Sequence, residues 1–471
     1  MKEFKGRISE LNSLQKKFDS AGFQMIVLYG RRRIGKTELM NEFMRRQECK
    51  CISFTASEQS EKELLSIMTE TVFGELAPDM IGMVEFSSFE KLFEFIGNKA
   101  KDERIVFFID EYPYLAKQCP YIQSVLQNVI DKMWKETKLF FVLCGSLVAF
   151  MKDEVLAESA PLHGRASSEL KLLPFNYLDT AEFVQKYTLE EKAIVYGLTN
   201  GVAKYIEQFD DDKPLEINII DEYFSFGGYF TEEQVKTVVT SEKQNPALYN
   251  SIVSAIATGH TRNSEIASCV GMDDITYPLK VLQKAEIIEK RVAKKPYYVL
   301  NDSMLVFWFK YVNRAISLIN VGRGERYYQN TVSNQLHDFM GSVFEKMCKE
   351  YLLMKAGEDS YPIITEIDNF QKTVLDDEGK PKQIEVDILG KDGKDVLIIG
   401  ECKFKNEKVD KDVFESFLEK AHYIKSKKPL LCMFSLHGYT DYVKANAAGI
   451  LLLTIEDLYE DVNNSRLKSR A

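Results

Sequence analysis

A short apolar run that leads directly into a glycine-rich segment constrains the fold of this chain more than any other feature. Residues 25–29 (MIVLY) show no polar alternation, which is typical of a parallel strand buried on both faces. Residues 30–37 (GRRRIGKT) match the pattern G-x-x-x-x-G-K-[ST], and residues 38–43 (ELMNEF) read as a helix. A strand, a glycine-rich loop and a helix in this order predict an α/β fold with a P-loop and a parallel sheet.

The spacing within this loop suits the binding of a nucleoside triphosphate. Gly30 and Gly35 allow successive backbone amides to point at phosphate oxygens, and the start of the helix adds partial positive charge. Lys36 is expected to reach the β- and γ-phosphates of ATP, and the Thr37 hydroxyl is expected to ligate Mg²⁺. We interpret the three arginines of the loop as solvated or phosphate-facing. The predicted nucleotide site contains Gly30, Arg31, Arg32, Arg33, Ile34, Gly35, Lys36, Thr37 and Glu38.

An acidic pair ends a second buried run. Residues 105–109 (IVFFI) are followed by Asp110 and Glu111. Next to a P-loop, Asp110 is expected to hold Mg²⁺ through water, and Glu111 to orient or deprotonate the water that attacks the γ-phosphate. Acids also end strands simply because they favour turns, which is the alternative interpretation.

Two further residues are candidates for sensing or stabilising the γ-phosphate. Ser146 follows the apolar run 139–144 and is expected to lie between Glu111 and the γ-phosphate. Arg165, in the segment His163-Gly164-Arg165, is a candidate to neutralise charge in the transition state, in its own chain or across a subunit interface. A surface arginine in a loop is the alternative for Arg165.

The first half of the chain resembles a known family. Residues 4–11 (FKGRISEL) are similar to the opening motif F-x-G-R-x-x-E-L of the archaeal-type P-loop ATPases, relatives of the AAA+ and STAND switch ATPases. The P-loop, the acidic pair, the Gly-Ser pair and GRA at 164–166 follow in that family's order. The resemblance implies that Phe4 and Arg7 lie near the adenine end of the nucleotide. Residues 200–205 (NGVAKY) depart from the family's G-G-x-P-x-Y pattern at a lid helix.

The middle of the chain reads as a helical lid followed by a winged helix-turn-helix. Three segments with helical apolar spacing precede a short pair of strands. Phe307, Trp308 and Phe309 are expected to be buried in the joint between the ATPase and the C-terminal domain. Acids at the start of the third helix disfavour DNA reading there, whereas the wing is basic. DNA contact and a packing role between domains both stay open. The wing residues concerned are Lys290, Arg291, Lys294, Lys295, Tyr297 and Tyr298.

The C-terminal block carries a second candidate site. Residues 384–389 (IEVDIL) and 396–404 (VLIIGECKF) read as a hairpin, in which Glu401 and Lys403 share one face and Asp387 can face the same space. Two carboxylates and a lysine can hold Mg²⁺ and activate a water for phosphodiester cleavage. A solvated glutamate–lysine pair on an exposed strand is the alternative.

A helical glutamate upstream, Glu345, is a candidate further metal ligand. The order E…D…E-x-K resembles the PD-(D/E)XK nuclease superfamily. The block is also similar to the C-terminal domain of unknown function that often follows archaeal-type ATPases. This resemblance implies a restriction-endonuclease-like α/β fold for the C-terminal block.

Length, charge and composition limit the number of domains and the classes of partner. The 471 residues predict two to four domains, and we place them at 1–174, 175–242, 243–315 and 316–471. The net charge of −10 argues against bulk coating of nucleic acid but leaves a local basic groove open. No apolar run reaches the ~18–20 residues of a membrane span, and the 8 cysteines lack metal-site spacing, so a cytoplasmic protein is expected.

These observations lead to competing functional hypotheses. The first is an ATP- and Mg²⁺-dependent P-loop ATPase that gates DNA cleavage by its C-terminal domain. The second is a signalling switch ATPase whose winged helix and C-terminal domain bind DNA or a protein partner without cleavage. The third is a nucleotide-dependent scaffold with negligible turnover. All three have ATP or ADP as ligand and no membrane partner, and self-association is left open.

Overall fold

The computed structural model describes residues 4–231, 245–291, 296–358, 360–375 and 379–460. Its first sheet has the strand order β2-β3-β4-β1-β5, and every pair in it is parallel. This confirms the predicted α/β fold with a parallel sheet. The strands are β1 (Gln24–Tyr29), β2 (Lys50–Thr55), β3 (Ile105–Asp110), β4 (Leu139–Gly145) and β5 (Ser168–Lys171).

Helices cover both faces of this sheet. Alternate strand residues point to opposite sides, so Ile26 and Phe140 pack with α1 and α2, whereas Val27 and Phe141 pack with α3 to α6. Every residue of β3 and β4 is buried, as expected for central parallel strands. The helices are α1 (Ile8–Phe18), α2 (Lys36–Arg45), α3 (Glu61–Leu76), α4 (Phe89–Lys99), α5 (Tyr112–Gln118), α6 (Ile122–Lys132) and α7 (Val148–Phe150), the last continued by a π-helical turn (Met151–Val155).

A mainly helical region follows the first sheet. It begins with α8 (Tyr177–Ala181), α9 (Leu189–Thr199), α10 (Ala203–Ile206) and α11 (Leu215–Ile219), the last continued by a π-helical turn (Ile220–Phe224). After the gap come α12 (Pro246–Ala257), α13 (Asn263–Val270), α14 (Thr276–Lys284) and an antiparallel hairpin of β6 (Ile288–Arg291) and β7 (Tyr297–Leu300). We call α12 to β7 the hairpin unit. Its description as a winged helix remains a prediction, and both the predicted boundary at 242 and the wing residues Lys294 and Lys295 lie outside the described residues.

The segment after the hairpin unit is buried against the rest of the chain. Phe307, Trp308 and Phe309 are at most 1% exposed, and the Trp308 indole donates to the Phe230 carbonyl at 2.6 Å. The expected burial of these aromatic residues is therefore observed. The segment contains α15 (Ser303–Phe307), α16 (Asn313–Asn320) and α17 (Gly324–Tyr327), with π-helical turns at Trp308–Val312 and Tyr328–Val332.

A separate mixed sheet forms the C-terminal domain. Its order is β12-β11-β10-β9-β8, antiparallel from β8 to β10 and parallel from β10 to β12. Helix α18 packs on one face and α19 on the other. Among the described residues, no helix combines the length and the apolar character needed to cross a membrane. The elements are α18 (Leu336–Lys355), β8 (Glu366–Leu375), β9 (Pro381–Asp392), β10 (Asp395–Lys403), α19 (Lys411–His422), β11 (Leu430–Ser435), α20 (Asp441–Asn446) and β12 (Ile450–Thr454).

Candidate functional site

The predicted phosphate loop connects β1 to α2, and its conformation requires glycine. A Cβ on Gly30 would lie 2.4 Å from the Leu172 carbonyl oxygen, and Gly35 has a φ of 92°. The Lys36 ammonium is 6% exposed and donates to the carbonyls of Gly30 and Arg31, both at 2.9 Å. The lysine is thus held over the loop that the sequence assigned to phosphate.

The two groups expected at Mg²⁺ meet at the end of β3. The Thr37 hydroxyl donates to the Asp110 carboxylate at 2.6 Å, and the other Asp110 oxygen accepts the Glu111 amide at 2.9 Å. Asp110 is only 3% exposed. A hydroxyl and a carboxylate are oxygen donors of the kind that Mg²⁺ prefers, so the residues present fit this ion.

Glu111 lies in a strained backbone conformation beside Ser146. Its φ of 51° and ψ of 41° fall in the left-handed region, which costs a residue other than glycine about 1–3 kcal/mol. The Ser146 hydroxyl donates to the Glu111 carboxylate at 2.8 Å. Because β4 and β3 are neighbours, the predicted sensor and the predicted water-positioning acid are brought together.

The three loop arginines make separate contacts to other elements and are not simply solvated. Arg31 forms a 2.7 Å ion pair with Asp302, which precedes α15. Arg32 donates to the Ser146 hydroxyl at 3.4 Å and to the Tyr114 hydroxyl. The Arg33 guanidinium lies 5.8 Å from the ring centroids of both Tyr205 and Tyr229.

Arg7 lies directly against the P-loop. Its guanidinium donates to the Ile34 carbonyl at 2.9 Å and to Glu10 at 3.0 Å, and it stacks 4.0 Å from the centroid of the Phe175 ring. Burial lowers the pKa of Arg7. Phe4 packs against the same core. The places of Phe4 and Arg7 near adenine remain predictions.

Lid residues contact the loop despite their departure from the family pattern. The Lys204 amide donates to the Arg33 carbonyl at 3.2 Å, and a Cβ on Gly35 would lie 3.9 Å from the Ala203 Cβ. Asn200 takes a left-handed conformation at the end of α9. The start of α10 therefore lies over the P-loop.

Arg165 is held away from this cluster within one chain. Its guanidinium pairs with Asp131 at 2.5 Å and donates to the Pro161 carbonyl at 2.7 Å. The hydrogen bonds and charge of Arg165 and Lys135 lower the pKa of Asp131. No contact with Lys36, Glu111 or Ser146 occurs among the described interactions of Arg165, so its catalytic role remains a prediction.

The C-terminal sheet gathers Asp387, Glu401 and Lys403. The Lys403 ammonium lies 2.8 Å from the Glu401 carboxylate and 4.0 Å from Asp387, which also accepts the Cys402 amide at 2.8 Å. Lys420, from α19, reaches the same Glu401 oxygen at 2.8 Å. The second Glu401 oxygen is buried and has no hydrogen-bond partner among the described residues.

The electrostatics of this C-terminal site are those of crowded, desolvated acids. Burial, together with the charges of Glu401 and Glu345, raises the pKa of Asp387 to about 6. Burial alone would lower the pKa of Lys403, but the charges of Glu401 and Asp387 outweigh it and raise that pKa. A bound divalent cation would relieve the repulsion between the carboxylates.

Glu345 lies near this site but does not complete a compact set of carboxylate ligands. Its carboxylate accepts the Asn369 side-chain amide at 2.7 Å, and Asn369 also accepts from Lys349. Among the described residues, Glu345, Asp387 and Glu401 do not form a trio with all ligand oxygens within 4.8 Å of one another. The role of Glu345 as a metal ligand therefore stays a prediction.

Comparison with known proteins settles the family. A family described as an ATPase domain predominantly from Archaea matches residues 4–209, and one described as archaeal and bacterial proteins of unknown function matches residues 308–414. An uncharacterized protein of Methanocaldococcus jannaschii is 30% identical over 365 residues, which are 74% of this chain and 77% of that protein. The chain belongs to this archaeal ATPase family.

Two further proteins are similar to parts of this chain. A second uncharacterized protein of Methanocaldococcus jannaschii is 34% identical over 55 residues, covering 12% of this chain and 53% of its own length. The structure of a Walker-type ATPase of Pyrococcus abyssi aligns with a TM-score of 0.50 at 18% identity, over 65% of this chain and 96% of that chain. The aligned part of the chain therefore shares the fold of a Walker-type ATPase.

Three residues at the candidate sites are not predicted from the sequence. Asp302 and Lys420 each reach their partner from a distant segment, and Asn369 reaches Glu345 from β8. Lys420 is one lysine among many between residues 391 and 428, so nothing distinguishes it locally. Its position near the end of an amphipathic helix was the one available signal.

Proposed function

We propose that this protein couples ATP hydrolysis at the P-loop to Mg²⁺-dependent phosphodiester cleavage in its C-terminal domain. The observation that carries the proposal is the meeting of Asp387, Glu401 and Lys403, with one Glu401 oxygen buried and without a partner in the described part of the chain. Buried acids beside a lysine are costly for stability and are typical of catalytic sites.

In the ATPase half, Lys36 binds the β- and γ-phosphates and Thr37 and Asp110 hold Mg²⁺. Glu111 orients the attacking water and accepts its proton, while Ser146 fixes the Glu111 carboxylate at 2.8 Å. The strained backbone of Glu111 supports this role, because such strain persists where the surrounding structure requires it.

In the C-terminal half, Asp387 and Glu401 supply carboxylate oxygens to Mg²⁺, which when bound lowers the pKa of a ligated water. Lys403 lies 2.8 Å from Glu401, where its positive charge stabilises negative charge that develops on a phosphate in the transition state. Glu345 and Asn369 border the same space. DNA is the substrate that this chemistry and the basic hairpin favour.

The hairpin unit contacts both the ATPase core and the C-terminal domain, which supports coupling between these two parts. Glu286 pairs with Lys152 at 2.7 Å and with Lys171 at 2.6 Å, both in the ATPase core. On the other side, Arg291 lies 3.8 Å from Asp368, next to Asn369 of the C-terminal site. A winged-helix role for this unit, with DNA bound along its wing, belongs to the proposal.

A switch ATPase without cleavage is the second candidate function. It is favoured by the two lysines, Lys403 and Lys420, that already neutralise one Glu401 oxygen. It is also favoured because Glu345, Asp387 and Glu401 do not form a compact trio among the described residues. In that case the C-terminal domain binds DNA or a protein partner.

Cleavage assays distinguish the two functions. Purified full-length chain is incubated with plasmid and single-stranded DNA, with ATP and either Mg²⁺ or Mn²⁺. We expect nicking that Asp387→Ala or Lys403→Ala abolishes. Asp395→Asn, an exposed carboxylate on the same strand as Glu401, is the matched control and should cleave like the wild type. No cleavage of any DNA form with either metal would refute the nuclease half and leave the switch.

A further inference from the structure

A buried ion pair ties the P-loop to the segment that follows the hairpin unit. The Arg31 guanidinium lies 2.7 Å from Asp302, and the Asp302 side chain is fully buried while Arg31 is 16% exposed. The other Asp302 oxygen accepts the Leu305 amide at 3.2 Å and so caps the start of α15. Residue 302 lies between the two ranges that match known families.

Arg31 connects this ion pair to the phosphate-binding lysine. Its side chain is anchored on Asp302, and its main-chain carbonyl accepts from the Lys36 ammonium at 2.9 Å. A shift of Asp302 therefore moves the carbonyl on which Lys36 rests.

The burial of Asp302 makes this link stiff. A carboxylate without solvent access cannot leave its cationic partner without becoming an uncompensated buried charge. The next residue, Ser303, donates to the Gly197 carbonyl at 2.6 Å and fixes the same segment to α9. The P-loop and the start of α15 are thus expected to move together.

We infer that Asp302 is a positioning residue of the ATPase reaction, acting through Arg31 on Lys36. Through this pair, Asp302 restrains the residue whose main-chain carbonyl accepts from Lys36. The inference rests on the proposed role of Lys36 in binding phosphate, but not on DNA cleavage.

Asp302→Asn tests the inference with little damage to the helix, because asparagine caps a helix as well as aspartate does. We expect kcat for ATP hydrolysis to fall about tenfold, while KM for ATP changes less than about threefold. The reason is that a displaced Lys36 loses stabilisation mainly in the transition state, where phosphate charge develops. Arg31→Lys keeps the charge but places it on a side chain of different length and shape, and it should lower kcat in the same way.

The double variant and a control separate positioning from general loosening. If the two residues act as a unit, the effects of the two substitutions do not multiply. The kcat of the double variant Asp302→Asn with Arg31→Lys should then lie within about twofold of the kcat of the less active single variant. Ser303→Ala loosens the same segment without touching the pair, and we expect it to lower the thermal midpoint but to keep kcat.

The possible results are distinct. If Asp302→Asn and Arg31→Lys both keep the kcat of the wild type, the inference is overturned but the proposed function is not. The same holds if Ser303→Ala loses as much kcat as Asp302→Asn does. A wild-type chain that does not hydrolyse ATP, or a Lys36→Ala variant that hydrolyses it normally, would overturn the proposed P-loop chemistry and this inference with it.

Discussion

The Ser146 hydroxyl donates a 2.8 Å hydrogen bond to the Glu111 carboxylate, joining the ends of two neighbouring parallel strands. Arg32 of the P-loop contacts the same serine at 3.4 Å. A nucleotide that displaces Arg32 therefore acts on the serine that orients the glutamate. Ser146 thus contacts both the P-loop and Glu111.

Replacing the glutamate tests its part in hydrolysis. We expect Glu111→Gln to lower kcat for ATP hydrolysis about a hundredfold or more, because glutamine cannot accept the proton of the attacking water. Binding of ATP should persist, since Lys36, Thr37 and Asp110 are unchanged. Phosphate release and equilibrium binding of a fluorescent ATP analogue measure the two effects. Glu136→Gln, an exposed glutamate after α6, is the control, and unchanged hydrolysis in Glu111→Gln would contradict the assignment.

The serine itself gives a second prediction. Ser146→Ala removes the donor that holds Glu111, and we expect kcat to fall about tenfold with little change in KM for ATP. Ser146→Thr keeps a hydroxyl and should retain most of the activity. Steady-state hydrolysis over a range of ATP concentrations measures both variants. If Ser146→Ala and Ser146→Thr lose the same amount of kcat, the hydroxyl group is not responsible for the effect.

Local sequence patterns predict those parts of the candidate sites in which the residues belong to one motif. Backbone geometry places Lys36 and Thr37 after β1, and Asp110 and Glu111 at the end of β3, so the sheet brings them together once its strands are recognised. Likewise, the period of a strand puts Glu401 and Lys403 on one face.

Contacts between distant segments could not be predicted in this way. Asp302 is a single acid after a hairpin, and only the folded chain places it 2.7 Å from Arg31. Lys420 reaches Glu401 from the helix that packs on the opposite side of the sheet from α18. The arginines of the P-loop looked interchangeable in the sequence, yet each contacts a different element.

The ion pairs of Glu286 predict how the hairpin unit is held on the ATPase core. The hydrogen bonds from Lys152 and Lys171 outweigh the effect of burial and lower the pKa of Glu286. We expect Glu286→Gln to weaken this contact by about 1 kcal/mol or less, since the groups are partly exposed. Thermal unfolding should show a lower midpoint for the variant at low salt and a smaller difference near ~1 M salt, where the screening length is about 3 Å. A difference that does not depend on salt would point to packing rather than charge.

The raised pKa of Asp387 predicts a pH-dependent stability of the C-terminal domain. The value of about 6 lies above that of the unfolded chain, so the folded state binds more protons between about pH 4 and pH 6. Stability that is present at low pH is therefore lost as the pH rises through this window. We expect Asp387→Asn to be more stable than the wild type above pH 7, by up to about 3 kcal/mol, and equal to it near pH 4.

The expectation is checked by measuring thermal midpoints near pH 4 and above pH 7. The proteins compared are the wild type, Asp387→Asn and the control Asp395→Asn. Added Mg²⁺ should raise the midpoint of the wild type above pH 7, because the ion replaces the proton in neutralising the buried acids. The same addition should leave Asp387→Asn nearly unchanged. A variant that is less stable than the wild type at every pH would show that the ionised Asp387 stabilises the domain, contrary to its burial beside Glu401.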